Sequence, residues 1–131
     1  MKIIPTRVHG MLDYIVGSFL CIAPWVLDFS EQPVARWTFI AMGLMAIGYS
    51  LVTEYELGLP YYRGLPMTYH LGLDLVSAVV LIASPWMFGY SEQVMWPPVI
   101  IGLLEIAVVL MTPWRRVSVD RRWGGRTLGT T

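Results

Sequence analysis

The feature that most constrains this chain is an internal duplication, in which one pattern of residues occurs twice at a constant spacing. The first copy contains His9, Asp13 and Ala23-Pro24-Trp25, and the second contains, 61 residues later, His70, Asp74 and Ser84-Pro85-Trp86. A two-residue deletion in the second copy then reduces the spacing to 59, which aligns Trp37 with Trp96 and Thr53 with Thr112. A repeat at a fixed interval predicts that one structural unit is built twice. Each copy is long enough for one pair of helices.

The composition places these helices in a membrane. Hydrophobic residues make up 56% of the 131 residues and charged residues only 14%, which is more apolar than a typical soluble domain. Four apolar segments stand out, at about 10–27, 37–53, 71–90 and 97–112. Helices of a soluble bundle are the alternative, but they need a charged outer face that the second and third segments do not offer. We therefore expect an all-α membrane protein with four transmembrane helices, built as two parallel two-helix repeats.

The chain divides into four predicted parts. The first repeat covers residues 1–56, a cytoplasmic linker 57–69, the second repeat 70–114 and a basic cytoplasmic tail 115–131. Eight of the nine Lys and Arg residues fall on the side of the two termini and the linker, whereas only Arg36 falls on the other side. The positive-inside rule then predicts a multi-pass protein of the cell inner (plasma) membrane with both termini in the cytoplasm. The first segment is not expected to be a removable signal, because its copy is internal and no cleavage site follows it.

Two pairs of ionisable residues are candidates for a functional site. His9 with Asp13, and His70 with Asp74, are four residues apart, so each pair lies on one side of a helix. The favoured interpretation is structural, with each aspartate accepting a hydrogen bond from its own histidine near the positive end of its helix. Alternatively, the pseudo-twofold axis brings the four side chains together as a metal site or a proton-handling cluster, although no HExxH-type spacing supports a metal. A haem between His9 and His70 is less favoured, because both histidines are expected at the edge of the bilayer. No cofactor is predicted.

Glu105 is the second candidate, because it is an acidic residue near the middle of the fourth apolar segment. An ionised acid at that depth costs a few kcal/mol. Its counterpart in the first copy is Ala46, so it is not part of the repeated scaffold. Two interpretations stay open: a neutral Glu105 hydrogen-bonded to a neighbouring helix, or a group on a transport or proton path.

Other residues are assigned to contacts with the membrane. Pro24-Trp25 and Pro85-Trp86 are expected to end their helices and to anchor them at the interface. The arginines of the tail are expected to bind anionic lipid headgroups, and nucleic acid is not expected as a partner. These arginines are Arg115, Arg116, Arg121, Arg122 and Arg126.

The duplicated tripeptide with its upstream His and Asp resembles the SPW-repeat family of small integral membrane proteins. The resemblance covers nearly everything from Pro5 to Trp114. It implies a four-helix membrane protein without an assigned activity, and it transfers no catalytic residue. The first copy departs from the family pattern, because Ala23 replaces the serine of the motif, so a serine hydroxyl is not required at both positions.

The expected function is that of a structural or accessory membrane component, with lipids, further copies of the chain or a larger membrane complex as partners. The alternative is a small oligomeric transporter or proton-coupled channel that uses Glu105 and the His/Asp pairs. An enzyme is not expected, because the chain has no activated serine or cysteine constellation and no phosphate-binding loop. Its single lysine is Lys2, and its single cysteine, Cys21, excludes an intramolecular disulfide.

Overall fold

The computed structural model describes residues 3–54, 57–59 and 64–114. It contains four α-helices, α1 (Thr6–Val26), α2 (Pro33–Leu51), α3 (Met67–Met87) and α4 (Trp96–Met111). Extended structure in these described ranges is limited to one isolated bridge between Thr53 and Leu65. The expectation of an all-helical protein is confirmed.

Three of the four helices, α1, α2 and α3, are long and apolar enough to cross a membrane. The fourth, α4, is apolar but has only 16 residues. At about 1.5 Å per residue it is about 24 Å long, which is less than the hydrocarbon thickness of about 30 Å. A fourth complete span therefore stays a prediction.

Three helices begin four residues earlier than the apolar segments indicate. α1 and α3 follow Pro5 and Pro66, which occupy the N-cap positions, and α2 begins with Pro33 itself. Proline suits the start of a helix, because the N–H that it lacks would have no partner inside the helix. Hydropathy marks only the apolar part of each helix, so it misses the polar first turn. His9 therefore lies in the first turn of α1, and Asp13 lies one turn further along.

The ends of α1 and α3 are built alike. Asp28 and Gly89 follow these helices with φ angles of 58° and 72°, and the next N–H donates to the carbonyl of the proline five residues earlier. These bonds run from Phe29 to Pro24 (2.8 Å) and from Tyr90 to Pro85 (2.9 Å). This is the Schellman arrangement, in which a left-handed residue terminates the helix. The Pro-Trp motifs thus lie in the last turns of α1 and α3, as the sequence predicts.

Within each copy the two helices pack closely, α1 along α2 and α3 along α4. A Cβ atom added to Gly43 on α2 would lie 2.5 Å from the carbonyl oxygen of Gly17 on α1. A Cβ atom added to Gly102 on α4 would likewise lie 2.8 Å from the carbonyl oxygen of Ala78 on α3. Small residues let helix backbones approach in this way.

The two copies are joined crosswise at one end of the bundle. The segment before each copy's first helix is hydrogen-bonded to the end of the other copy's second helix. These bonds run from the N–H groups of Ile3 and Ile4 to the carbonyl of Met111 (2.9 and 3.2 Å), and from those of Gly64 and Leu65 to the carbonyl of Val52 (3.1 Å each). Along their lengths, α2 packs against α3, whereas α1 and α4 approach each other less closely.

The tail predicted to bind lipid headgroups, with Arg115, Arg116, Arg121, Arg122 and Arg126, lies outside the described residues. The described chain ends at Trp114, shortly after α4.

Candidate functional site: a buried histidine and aspartate cluster

The two repeated pairs meet at the end of the bundle where the copies are joined. One ligand atom from each of His9, Asp13, His70 and Asp74 lies within 4.8 Å of the other three; we call these four side chains the His/Asp cluster. The exposed fraction of the side chain is 11% for Asp13 and 4% or less for the other three. These four ionisable side chains are therefore almost completely buried inside the protein.

The shortest contacts in the His/Asp cluster cross from one copy to the other. Nε2 of His9 lies 3.0 Å from Oδ2 of Asp74, and Nε2 of His70 lies 3.0 Å from Oδ2 of Asp13. The contacts within one helix are longer, at 3.4 Å from His9 to Asp13 and 3.2 Å from His70 to Asp74. The spacing of four residues along one helix predicts the two longer contacts. It does not predict the two shorter contacts, which join helices of different copies.

Two threonines fix the orientation of the imidazole rings. Each lies just after the second helix of its copy and donates its hydroxyl proton to the carbonyl four residues earlier. These bonds run from Thr53 to Tyr49 (2.7 Å) and from Thr112 to Val108 (2.8 Å). The same hydroxyl oxygens lie 2.8 Å from Nδ1 of His70 and 2.9 Å from Nδ1 of His9.

These bonds determine which ring nitrogen carries a proton. A threonine hydroxyl has one proton, and a carbonyl can only accept, so Thr53 and Thr112 must accept from the histidines. Each Nδ1 therefore bears a hydrogen, and each Nε2 is the nitrogen turned towards the carboxylates. Sequence reasoning did not include the two threonines in the site, although their alignment at the spacing of 59 was a signal.

Tyr49 is a further participant that sequence reasoning missed. Its hydroxyl donates to Oδ1 of Asp74 at 2.6 Å, and its ring stands edge-on to the ring of His70, with centroids 5.1 Å apart. The aligned residue of the second copy is Val108, which has no hydroxyl to offer Asp13. The environments of the two aspartates are therefore unequal, although the cluster itself is repeated.

A cavity of about 490 Å³ adjoins the cluster, lined mainly by α1 and α4. His9, Asp13 and Asp74 form part of its polar lining. Glu105 lines the same cavity together with Tyr49 and Ser77, and its counterpart Ala46 lies there as well. The structure therefore brings Glu105 and three of the four residues of the His/Asp pairs to one cavity.

The serine of the SPW tripeptide has a local partner. Ser84 is completely buried, donates to the carbonyl of Leu81 at 2.7 Å and is hydrogen-bonded to the hydroxyl of Tyr90. In the first copy Ala23 and Phe29 occupy the aligned positions and are buried too. One copy thus has a paired serine and tyrosine where the other has an apolar pair, which accounts for the missing serine in the first motif.

Four tryptophans are exposed at the end of the bundle opposite the His/Asp cluster. Trp25 and Trp86 lie near the ends of α1 and α3, and Trp37 and Trp96 near the starts of α2 and α4. More than half of each side chain is exposed. Exposed indoles at one level of a bundle are typical of a membrane interface, and anchoring by the Pro-Trp motifs stays a prediction.

The comparison with protein families agrees with the repeated motif. The family described as the SPW repeat domain matches residues 7–112. No curated protein and no solved structure matches the chain.

Proposed function

Since the chain belongs to the SPW repeat family, we propose that it is a non-catalytic structural component of a membrane, whose His/Asp cluster joins its two helix pairs. The observation that carries this proposal is the reciprocal pairing of His9 with Asp74 and of His70 with Asp13, at 3.0 Å each. Each pair connects a helix of one copy to a helix of the other.

The energetics of buried charge support a joining role. Removing one partner of a buried ion pair leaves the other group unpaired in a medium of low dielectric constant, at a cost of about 3–5 kcal/mol. α1 and α4 approach each other little along their lengths, so polar contacts near the ends of these helices hold that side of the bundle. The contacts include the bond from His9 to Thr112 and those from Ile3 and Ile4 to Met111.

The arrangement in the membrane is part of the same proposal. The two copies form parallel repeats related by a pseudo-twofold axis along the membrane normal, with the cluster and both termini on the cytoplasmic side of the inner membrane. The distribution of Lys and Arg supports this orientation, and the exposed tryptophans at the other end provide the second interface. The partners are membrane lipids and further copies of the chain or a larger membrane complex.

A double-mutant cycle tests the joining role. His9→Asn, Asp74→Asn and the double variant are unfolded in mixed micelles with a rising fraction of denaturing detergent. We expect the free energies of unfolding to show a coupling of about 1–3 kcal/mol between the two residues. The same cycle with His9 and the exposed Glu92, near the opposite end of α3, is the matched control and should show none. Equal coupling in both cycles would contradict a joining role.

Transport is a second candidate, because Glu105 lines the same cavity as three members of the cluster. Ionisable groups that line one cavity inside a membrane protein are typical of a path for protons or cations, and here they are Glu105, His9, Asp13 and Asp74. Protein in liposomes that carry a pH-sensitive dye provides the test. Proton flux that Glu105→Gln abolishes and Glu92→Gln preserves would support transport, whereas equal flux in the wild type and both variants would leave only the structural role.

A further inference from the structure

We propose that the His/Asp cluster binds one divalent transition-metal ion of the zinc type. Its ligands are Nε2 of His9 and of His70, with one carboxylate oxygen each from Asp13 and Asp74. This inference concerns the same cluster as the proposed function but goes beyond it, because hydrogen bonds alone are sufficient to join the helix pairs.

The first argument is the shared orientation of the four side chains. With Nδ1–H bonded to threonine, a neutral histidine presents the lone pair of Nε2 to the carboxylates, which are themselves only acceptors when ionised. Each Nε2 faces oxygens of both aspartates, at 3.0 and 3.4 Å for His9 and at 3.0 and 3.2 Å for His70. One N–H can point to only one of these oxygens, whereas a cation at the centre attracts all four groups.

The nitrogen–oxygen separations are close to those of a zinc site. Zinc–ligand bonds of about 2.0–2.1 Å place neighbouring corners of a tetrahedron about 3.3–3.4 Å apart. The nitrogen–oxygen contacts of the cluster are 3.0, 3.0, 3.2 and 3.4 Å, and Asp13 takes part in its two contacts with different oxygens. One ligand atom from each side chain lies within 4.8 Å of the other three, so an ion can bind when the more distant ligand atoms move inward.

The charge balance and the surrounding hydrogen bonds suit the same ion. Two carboxylates carry two negative charges, which one divalent cation neutralises in a buried site. Metal-binding histidines usually donate their other N–H to an oxygen, which orients the ring; here Thr53 and Thr112 accept those bonds. Tyr49 holds the second oxygen of Asp74. Imidazole together with carboxylate favours zinc or cobalt over magnesium or calcium.

Cobalt provides the probe, because tetrahedral Co²⁺ absorbs visible light far more strongly than octahedral Co²⁺. The full chain is purified in mild detergent with an affinity tag that contains no histidine, stripped with a chelator and titrated with Co²⁺. We expect one ion per chain, an absorption band typical of tetrahedral coordination, and loss of the band when Zn²⁺ is added. A stripped wild-type protein that retains its helical circular dichroism but binds no Co²⁺ would overturn the proposal.

Variants separate the cluster from other metal-binding groups. His9→Asn with His70→Asn should abolish the band, whereas Glu105→Gln, which changes the neighbouring acid in the same cavity, should retain it. Thr53→Val with Thr112→Val keeps all four ligands and should weaken Co²⁺ binding about 10- to 100-fold. This second variant tests the same site if the histidine variant does not fold. Binding unchanged in both double variants would place the ion elsewhere. The double-mutant cycle of His9 and Asp74 is measured in metal-free protein. The joining role and the metal site are therefore tested by separate measurements, and either can fail without the other.

Discussion

Asp13 lies four residues after His9 on α1, yet its Oδ2 lies 3.0 Å from Nε2 of His70 on α3. The reciprocal bond joins His9 to Asp74. A spacing that suggests two separate pairs therefore produces one shared cluster. The consequences for stability can be tested one side chain at a time.

Asp13→Asn should lower the free energy of unfolding by about 3–5 kcal/mol, because it removes the charge of one partner of a buried pair. Unfolding in mixed micelles measures the change. Glu92→Gln, an exposed acid near the opposite end of the bundle, is the control and should change stability by less than about 0.5 kcal/mol. A loss of the same size in both variants would indicate a general effect of charge.

Tyr49→Phe should lower the free energy of unfolding by about 1.5–3 kcal/mol, because the lost hydrogen bond has a carboxylate of Asp74 as its acceptor. The ring contact with His70 is retained in this variant. Tyr69→Phe removes a tyrosine hydroxyl from an exposed position and should have little effect. Equal stability of the wild type and Tyr49→Phe would mean that the bond to Asp74 contributes nothing.

The Ser84 and Tyr90 hydroxyls should show strong non-additivity. Each single variant, Ser84→Ala or Tyr90→Phe, leaves a buried partner with one hydrogen bond fewer and should cost about 1–3 kcal/mol. The double variant recreates the pair Ala23 and Phe29 of the first copy and should recover much of that loss. Thermal unfolding of the three variants measures these losses of stability. A double variant whose loss equals the sum of the two single losses would contradict the pairing of Ser84 with Tyr90.

Gly43→Ala should lower stability by about 1–3 kcal/mol, because the new methyl group would lie 2.5 Å from a backbone oxygen of α1. Gly48→Ala is a matched control on the same helix, since a Cβ atom there meets nothing within 4 Å. We expect the control to be neutral or slightly stabilising, because alanine favours the helix more than glycine does. The melting temperatures of the two variants in one detergent measure the difference.

The helices could be predicted from the sequence because their signals are local. Apolar length identified four segments, and the Pro-Trp motifs lie in the last turns of α1 and α3, although the third segment was predicted to run three residues past the end of α3. The starts were missed by four residues, since hydropathy does not register a polar first turn that follows a proline. For α4 the predicted length was correct, but 16 residues do not establish a full span.

The site was predictable only in part. The duplication identified His9, Asp13, His70 and Asp74, and it left open whether they meet. Which histidine bonds to which aspartate depends on how helices from different copies pack, and no spacing along one helix contains that information. The same holds for Tyr49, whose aligned residue is Val108, so the duplication does not mark it.

Neither copy is complete by itself, because the segment before its first helix is hydrogen-bonded to the other copy. Ile3 and Ile4 bond to Met111, and Gly64 and Leu65 bond to Val52. Half of this polypeptide would lose the backbone bonds of its leading segment and the 3.0 Å contact between its histidine and the aspartate of the other copy. A single-copy chain could recover these contacts by associating with a second molecule of its kind. Duplication therefore places within one chain a contact that a single copy would have to form with another molecule, and the copies need not be identical: Tyr49 aligns with Val108, and Glu105 with Ala46.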